Sequence, residues 1–119
     1  MTVQQRLDMY HEQYNLLRVW VENLQQGKRL DRVLLRADYK NIIVYGDGAL
    51  GKLLIDEIKD DRIKILSILD KKGNKIFDES IEPDAIIVTP VYHYEIIECA
   101  LRKDYQCPIV SLTDLAYRL

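Results

Sequence analysis

Asn41-Ile42-Ile43-Val44-Tyr45-Gly46-Asp47-Gly48-Ala49-Leu50-Gly51 is a short apolar run leading directly into the pattern G-x-G-x-x-G. The helix-like run Lys52-Leu53-Leu54-Ile55-Asp56-Glu57-Ile58-Lys59 follows without a gap. Between a strand and a helix the three glycines have separate tasks. Gly46 permits the tight turn, Gly48 lets backbone approach a pyrophosphate, and Gly51 lets the helix lie close to the strand. The helix N-terminus then presents free N–H groups and a positive dipole end to the phosphates. Ala49 is small enough for close approach and Leu50 reads as core. Asp47 carries a charge that opposes a pyrophosphate unless its side chain turns away.

Outward from this loop, strand and helix alternate. Strands are expected at Asn41 to Tyr45, Ile63 to Leu69, Asp84 to Thr89 and Pro108 to Leu112. Helices are expected from Gly48 to Lys59 and from about Tyr92 to Arg102, with a last helical turn capped by Thr113 or Asp114. Continuous apolar runs such as Ala85-Ile86-Ile87-Val88 suit parallel strands buried on both faces. With right-handed crossovers the expectation is an α/β fold: a Rossmann-like parallel sheet of about four strands, order 3-2-1-4, carrying an N-terminal helical arm. The boundary falls at residue 38, with the arm at 1–38 and the nucleotide-binding domain at 39–119.

The arm is more than a minimal dinucleotide fold needs. Val3, Leu7, Tyr10, Tyr14, Leu17, Val21 and Leu24 alternate spacings of four and three, which is a heptad seam; Leu16 and Trp20 widen the stripe. Gly27 is the expected C-terminal cap, and a short second helix is expected from about Leu30 to Ala37. Two readings of the seam stand open: it covers the chain's own sheet, or it pairs with a second copy or another protein.

Asp70 ends the second strand, nineteen positions after Gly51. A carboxylate there accepts hydrogen bonds from the adenosine ribose hydroxyls and repels a 2′-phosphate, which favours NAD over NADP; a turn former before Lys71 and Lys72 is the plainer alternative. Thr89-Pro90 closes the third strand at the end where ligands sit in this architecture. His93, just beyond, is either a polar contact to ligand or an exposed helix-start residue. Tyr92 and Tyr94 either stack on a ring or pack. With two histidines, His11 and His93, and two cysteines eight apart, no zinc ligand set is expected. Cys99 is expected to be buried on the last crossover helix.

The formal net charge of −2, with acids and bases intermixed, gives no nucleic-acid-binding signature. The first residues lack the apolar stretch of a leader, no apolar run is long enough to span a membrane, and the expected setting is cytoplasmic.

Residues 41–112 resemble the small Rossmann-type NAD(P)-binding domains of bacterial surface-polysaccharide and sugar-nucleotide enzymes. Pro83-Asp84-Ala85-Ile86-Ile87-Val88-Thr89-Pro90 through His93 and Ala100-Leu101 resembles the matching segment of glucose-fructose oxidoreductase-type dehydrogenases; the N-terminal nucleotide-binding domain of bacterial sugar O-acyltransferases is also similar. The resemblance implies a site formed by Gly46 to Gly51, Asp70, Thr89, Pro90 and His93, holding NAD or a nucleotide-sugar. It departs where those dehydrogenases carry a catalytic lysine and a substrate domain, and where the acyltransferases carry hexapeptide repeats. A binding module of glycan biosynthesis is therefore expected first. The alternatives are a sugar-nucleotide oxidoreductase or epimerase-like enzyme completed by oligomerisation, and a ligand-free scaffold.

Overall fold

Ile42, Ile43 and Val44 are β-branched and buried, and they form the middle of the central strand β1 (Asn41–Tyr45) of a computed structural model that describes residues 1–118. Such a run sits in a sheet covered on both faces. The remaining strands are β2 (Lys64–Leu69), β3 (Lys75–Ile76), β4 (Ala85–Val88) and β5 (Ile109–Ser111), arranged β3-β2-β1-β4-β5. All neighbours are parallel except β3, which pairs antiparallel with β2. Side chains alternate across the sheet. Ile42, Val44, Ala85, Ile87 and Val110 meet one helical layer: α1 (Val3–Gln25), α2 (Leu30–Arg36), α3 (Ala49–Glu57) and α5 (Leu112–Tyr117). Ile43, Leu66, Ile86, Val88 and Ile109 face α4 (Tyr94–Leu101), through Ile97 and Leu101.

The sheet thus has five strands rather than about four, and the third position is filled by a different segment from the one expected. The place beside β2 is taken by the two-residue β3, whereas the segment expected there, around Asp84 to Thr89, lies on the far side of β1 as β4. The reason is the connection. A parallel neighbour needs a long crossover, usually a helix, but Asp70 to Asp84 contains Gly73 and Pro83 and no helical run. The chain instead folds back as a hairpin, with Ser67 opposite Ile76 and Ile68 opposite Lys75. Having returned to the starting edge of the sheet, it packs Ile81 onto the second face and enters β4 beside β1. Asp84 Oδ2 accepts hydrogen bonds from Asn41 N at 2.8 Å and Lys40 N at 3.0 Å, clamping the two strand starts together.

Helix α1 begins at a capping box between Thr2 and Gln5 and ends before Gly27, whose φ of +74° a residue with a side chain rarely adopts. It packs on the sheet layer through Leu16, Trp20 and Asn23; Leu16, Trp20, Leu30, Val33 and Leu34 belong to the same core cluster as the strands. The heptad residues Val3, Leu7, Tyr10, Tyr14, Val21 and Leu24 are exposed. The helix therefore covers the sheet with Leu16 and Trp20, which widen the seam; of the seam itself Leu17 packs part-buried against that core and the other six residues are exposed. Helix α5 is capped by Ser111, whose Oγ accepts from Asp114 N at 3.1 Å, two positions before the nearer of the expected caps, Thr113 and Asp114. Cys99, expected inside, is exposed on the outer side of α4. Among the described residues no helix is long and apolar enough to cross a membrane.

One buried carboxylate ties the arm to the sheet layer. Glu57, at the end of α3, accepts from Trp20 Nε1 and from Leu30 N, both at 2.5 Å, while Arg29 donates to its carbonyl. Glu57→Ala strands two buried donors at about 1–3 kcal/mol each. We expect a fall in the urea midpoint, followed by fluorescence of the single Trp20, with Gln25→Ala as an exposed control within about 0.5 kcal/mol of wild type.

Candidate functional site

Because β1 is followed by α3 on one face and β4 by α4 on the other, the crevice between their C-terminal ends is a topological switch point, where ligands bind in open α/β sheets. The glycine loop occupies one lip and Thr89-Pro90 the other. Gly46 has φ +109°, and a Cβ there would lie 2.3 Å from Thr89 Oγ1. A Cβ on Gly51 would lie 2.1 Å from the carbonyl oxygen of Gly46. Both glycines are therefore required by the fold. A Cβ on Gly48, the N-cap of α3, meets nothing within 4 Å. Gly48 and Ala49 are exposed, at the end of the helix where N–H groups lack intrahelical partners.

A cavity of about 290 Å³ opens over this helix end, lined by Gly48, Ala49, Leu50, Gly51, Thr89 and Pro90, and walled on the outer side by Gln13, Leu17 and Leu53. Thr89 is buried and its hydroxyl donates to Tyr45 O at 2.8 Å, so it locks β4 to β1 beneath the loop. Asp47 lies behind the mouth. Its carboxylate reaches Lys75 Nζ at 3.4 Å and its N–H donates to Asp70 Oδ2 at 3.1 Å. Asp70 thus sits against the loop at the end of β2, with Oδ1 lacking a hydrogen-bond donor among the described residues. Leu50 both lines the cavity and packs against the core.

His93 is not in this cavity. It is exposed in the turn Val91–His93 and lines a neighbouring space of about 580 Å³ at the ends of β4 and β5, with Glu12, Glu95, Ser111 and Asp114. Its ring stands edge-on to Tyr92 at 5.1 Å. Tyr94 is committed elsewhere. Its hydroxyl lies 2.7 Å from Glu98 Oε2 and 2.8 Å from Ile109 O, and burial followed by the Glu98 carboxylate pushes its pKa above the usual phenol range.

Gln13, Leu17 and Lys75 belong to the site, yet nothing in their local sequence marks them. The first two read as helix positions in the arm, and Lys75 follows the turn at Lys71 and Lys72. No family model matches the chain, and no curated protein and no solved structure matches it significantly.

The glycines separate fold from site by substitution. Gly51→Ala drives a Cβ into backbone and is expected to lose about 1–3 kcal/mol or more of stability in urea melts. Gly48→Ala has room and is expected to stay within about 1 kcal/mol of wild type. Equal losses at both positions would show that Gly48 too is required by packing.

Proposed function

We propose that the chain is a nucleotide-binding module whose ligand, NAD(H) or a nucleotide-sugar, places its pyrophosphate at the N-terminus of α3. The observation that carries this reading is Gly48. Glycine in an ordered segment costs backbone entropy, and here, unlike Gly46 and Gly51, no packing contact repays it. A residue without a side chain, on an exposed helix end facing a cavity, suits the close approach of a phosphate. The pairing of Asp47 with Lys75 supports it by drawing the one acidic side chain of the loop off the mouth.

Asp70 Oδ1 is the ribose acceptor in this reading, and a carboxylate there favours NAD over a 2′-phosphorylated cofactor. The second cavity, with His93 and Tyr92 at its rim, takes the far half of the ligand. Side chains around the first cavity offer contact and shape, not proton transfer: Leu17, Leu50, Leu53 and Pro90 are apolar, and the Thr89 hydroxyl is engaged with Tyr45 O. We therefore infer a binding role over a catalytic one, and, on the resemblance to sugar-nucleotide enzymes, a setting in bacterial surface-glycan biosynthesis.

Calorimetric titration with NAD, NADH, NADP and UDP-sugars tests this. Saturable binding of one of them is expected, weakened at least about 100-fold, or about 2.7 kcal/mol, by Gly48→Val and about tenfold by Asp70→Asn, with the far-UV circular dichroism of both variants unchanged. A folded wild-type protein that binds none of the four ligands, or a Gly48→Val variant with full affinity, would sink the proposal.

A further inference from the structure

The heptad seam of α1 is a regular apolar stripe that the fold leaves mostly uncovered. Val3, Leu7, Tyr10, Tyr14, Val21 and Leu24 are between 41 and 73 % exposed, although the helix that carries them is anchored on its other side by Leu16, Trp20 and Asn23. The helix has two unlike halves. Residues 1–8 are all exposed. From Glu12 onward the helix lies on the body, and toward its C-terminal end Leu17, Val21 and Leu24 together with Leu53 of α3 line a groove of about 340 Å³ that also includes Arg29, Asp56, Glu57 and Lys59.

We propose that this face is an isologous interface with a second copy of the chain, the two α1 helices packed antiparallel. Both parts of such an interface stand on one helix: an exposed apolar half and a groove to receive it. A two-fold axis perpendicular to the helices satisfies both at once. In a register centred between Tyr14 and Leu17, Leu7 meets the second copy's Leu24, Tyr10 meets its Val21 and Tyr14 meets its Leu17. A spacing of four and three is the one a helix of the same period matches. A parallel pair would instead bring the two bodies to the same end and leave both grooves unfilled. The area suffices. The five exposed seam residues that this register pairs, with Leu53, present roughly 600 Å² per copy, so their full burial in a symmetric pair covers about 1,200 Å², at the lower end of the range of about 1,200–2,000 Å² for stable specific interfaces. Along the C-terminal half Arg18 is already paired with Glu22 at 3.0 Å, and the groove carries both signs, with Arg29 and Lys59 beside Asp56 and Glu57. The groove shares Leu17 and Leu53 with the wall of the first cavity, so the pairing is judged by mass alone and not by ligand affinity.

Light scattering on the eluting full chain, at loading concentrations up to about 100 µM, is expected to give twice the 14.0 kDa chain mass. Leu7→Glu with Tyr10→Glu, on the exposed half where no core contact is lost, is expected to return the mass to that of one chain with helicity retained. Leu53→Glu, on a different helix, is expected to weaken the pair at least tenfold. A wild-type monomer at the highest concentration overturns the proposal. So does a dimer that survives the α1 double variant, which places the contact elsewhere, or one indifferent to Leu53→Glu, which rules out the antiparallel seating.

Discussion

The approach of Gly51 to the carbonyl of Gly46 is the constraint on which the rest of the structure turns. It allows α3 to start immediately behind β1, so that the helix end faces the crevice between β1 and β4. Thr89 completes the arrangement from the other lip by hydrogen-bonding across to Tyr45 O, while filling the space that a Cβ on Gly46 would need. Two backbone turns and one hydroxyl thus set the width of the site. Gly48 is the one member of the motif that no packing contact requires.

Glu57 supplies the second organising contact. A buried carboxylate is costly unless donors surround it, and here an indole, a helix-start amide and a neighbouring arginine converge on the end of α3. The consequence reaches the site. By fastening Trp20 and α2 to α3, the network lays α1 along the glycine loop, where Gln13 and Leu17 form the outer wall of the cavity. It also turns the heptad seam outward, because a helix cannot face its own sheet with Leu16 and Trp20 and also with the stripe beside them.

Much of this was legible in local chemistry. The glycine motif, the helix stop at Gly27 and the buried runs of β1 and β4 follow from conformational freedom and hydrophobic pattern, which act over a few residues. The path between β2 and β4 followed only in part: the lack of a helical run between Asp70 and Asp84 speaks against a crossover, but that β4 then takes the open side of β1 is decided by the sheet. Cys99 escaped for a related reason: on a short helix, apolar composition alone does not say which side meets the sheet, and Ile97 and Leu101 took that side.

The sequence by itself determined the α/β class, the place of the loop between strand and helix, and the existence of a regular apolar seam. Only the tertiary structure decided the strand beside β2, the face α1 buries, the partner of Asp47, and the membership of Gln13 and Leu17 in the cavity wall. The division has one physical cause. Turn geometry and hydrophobic period are properties of neighbouring residues, whereas burial, pairing and enclosure are settled between residues far apart in the chain, by competition for a limited interior. Two adjacent stripes on one helix compete on equal terms until a distant carboxylate, Glu57, selects between them.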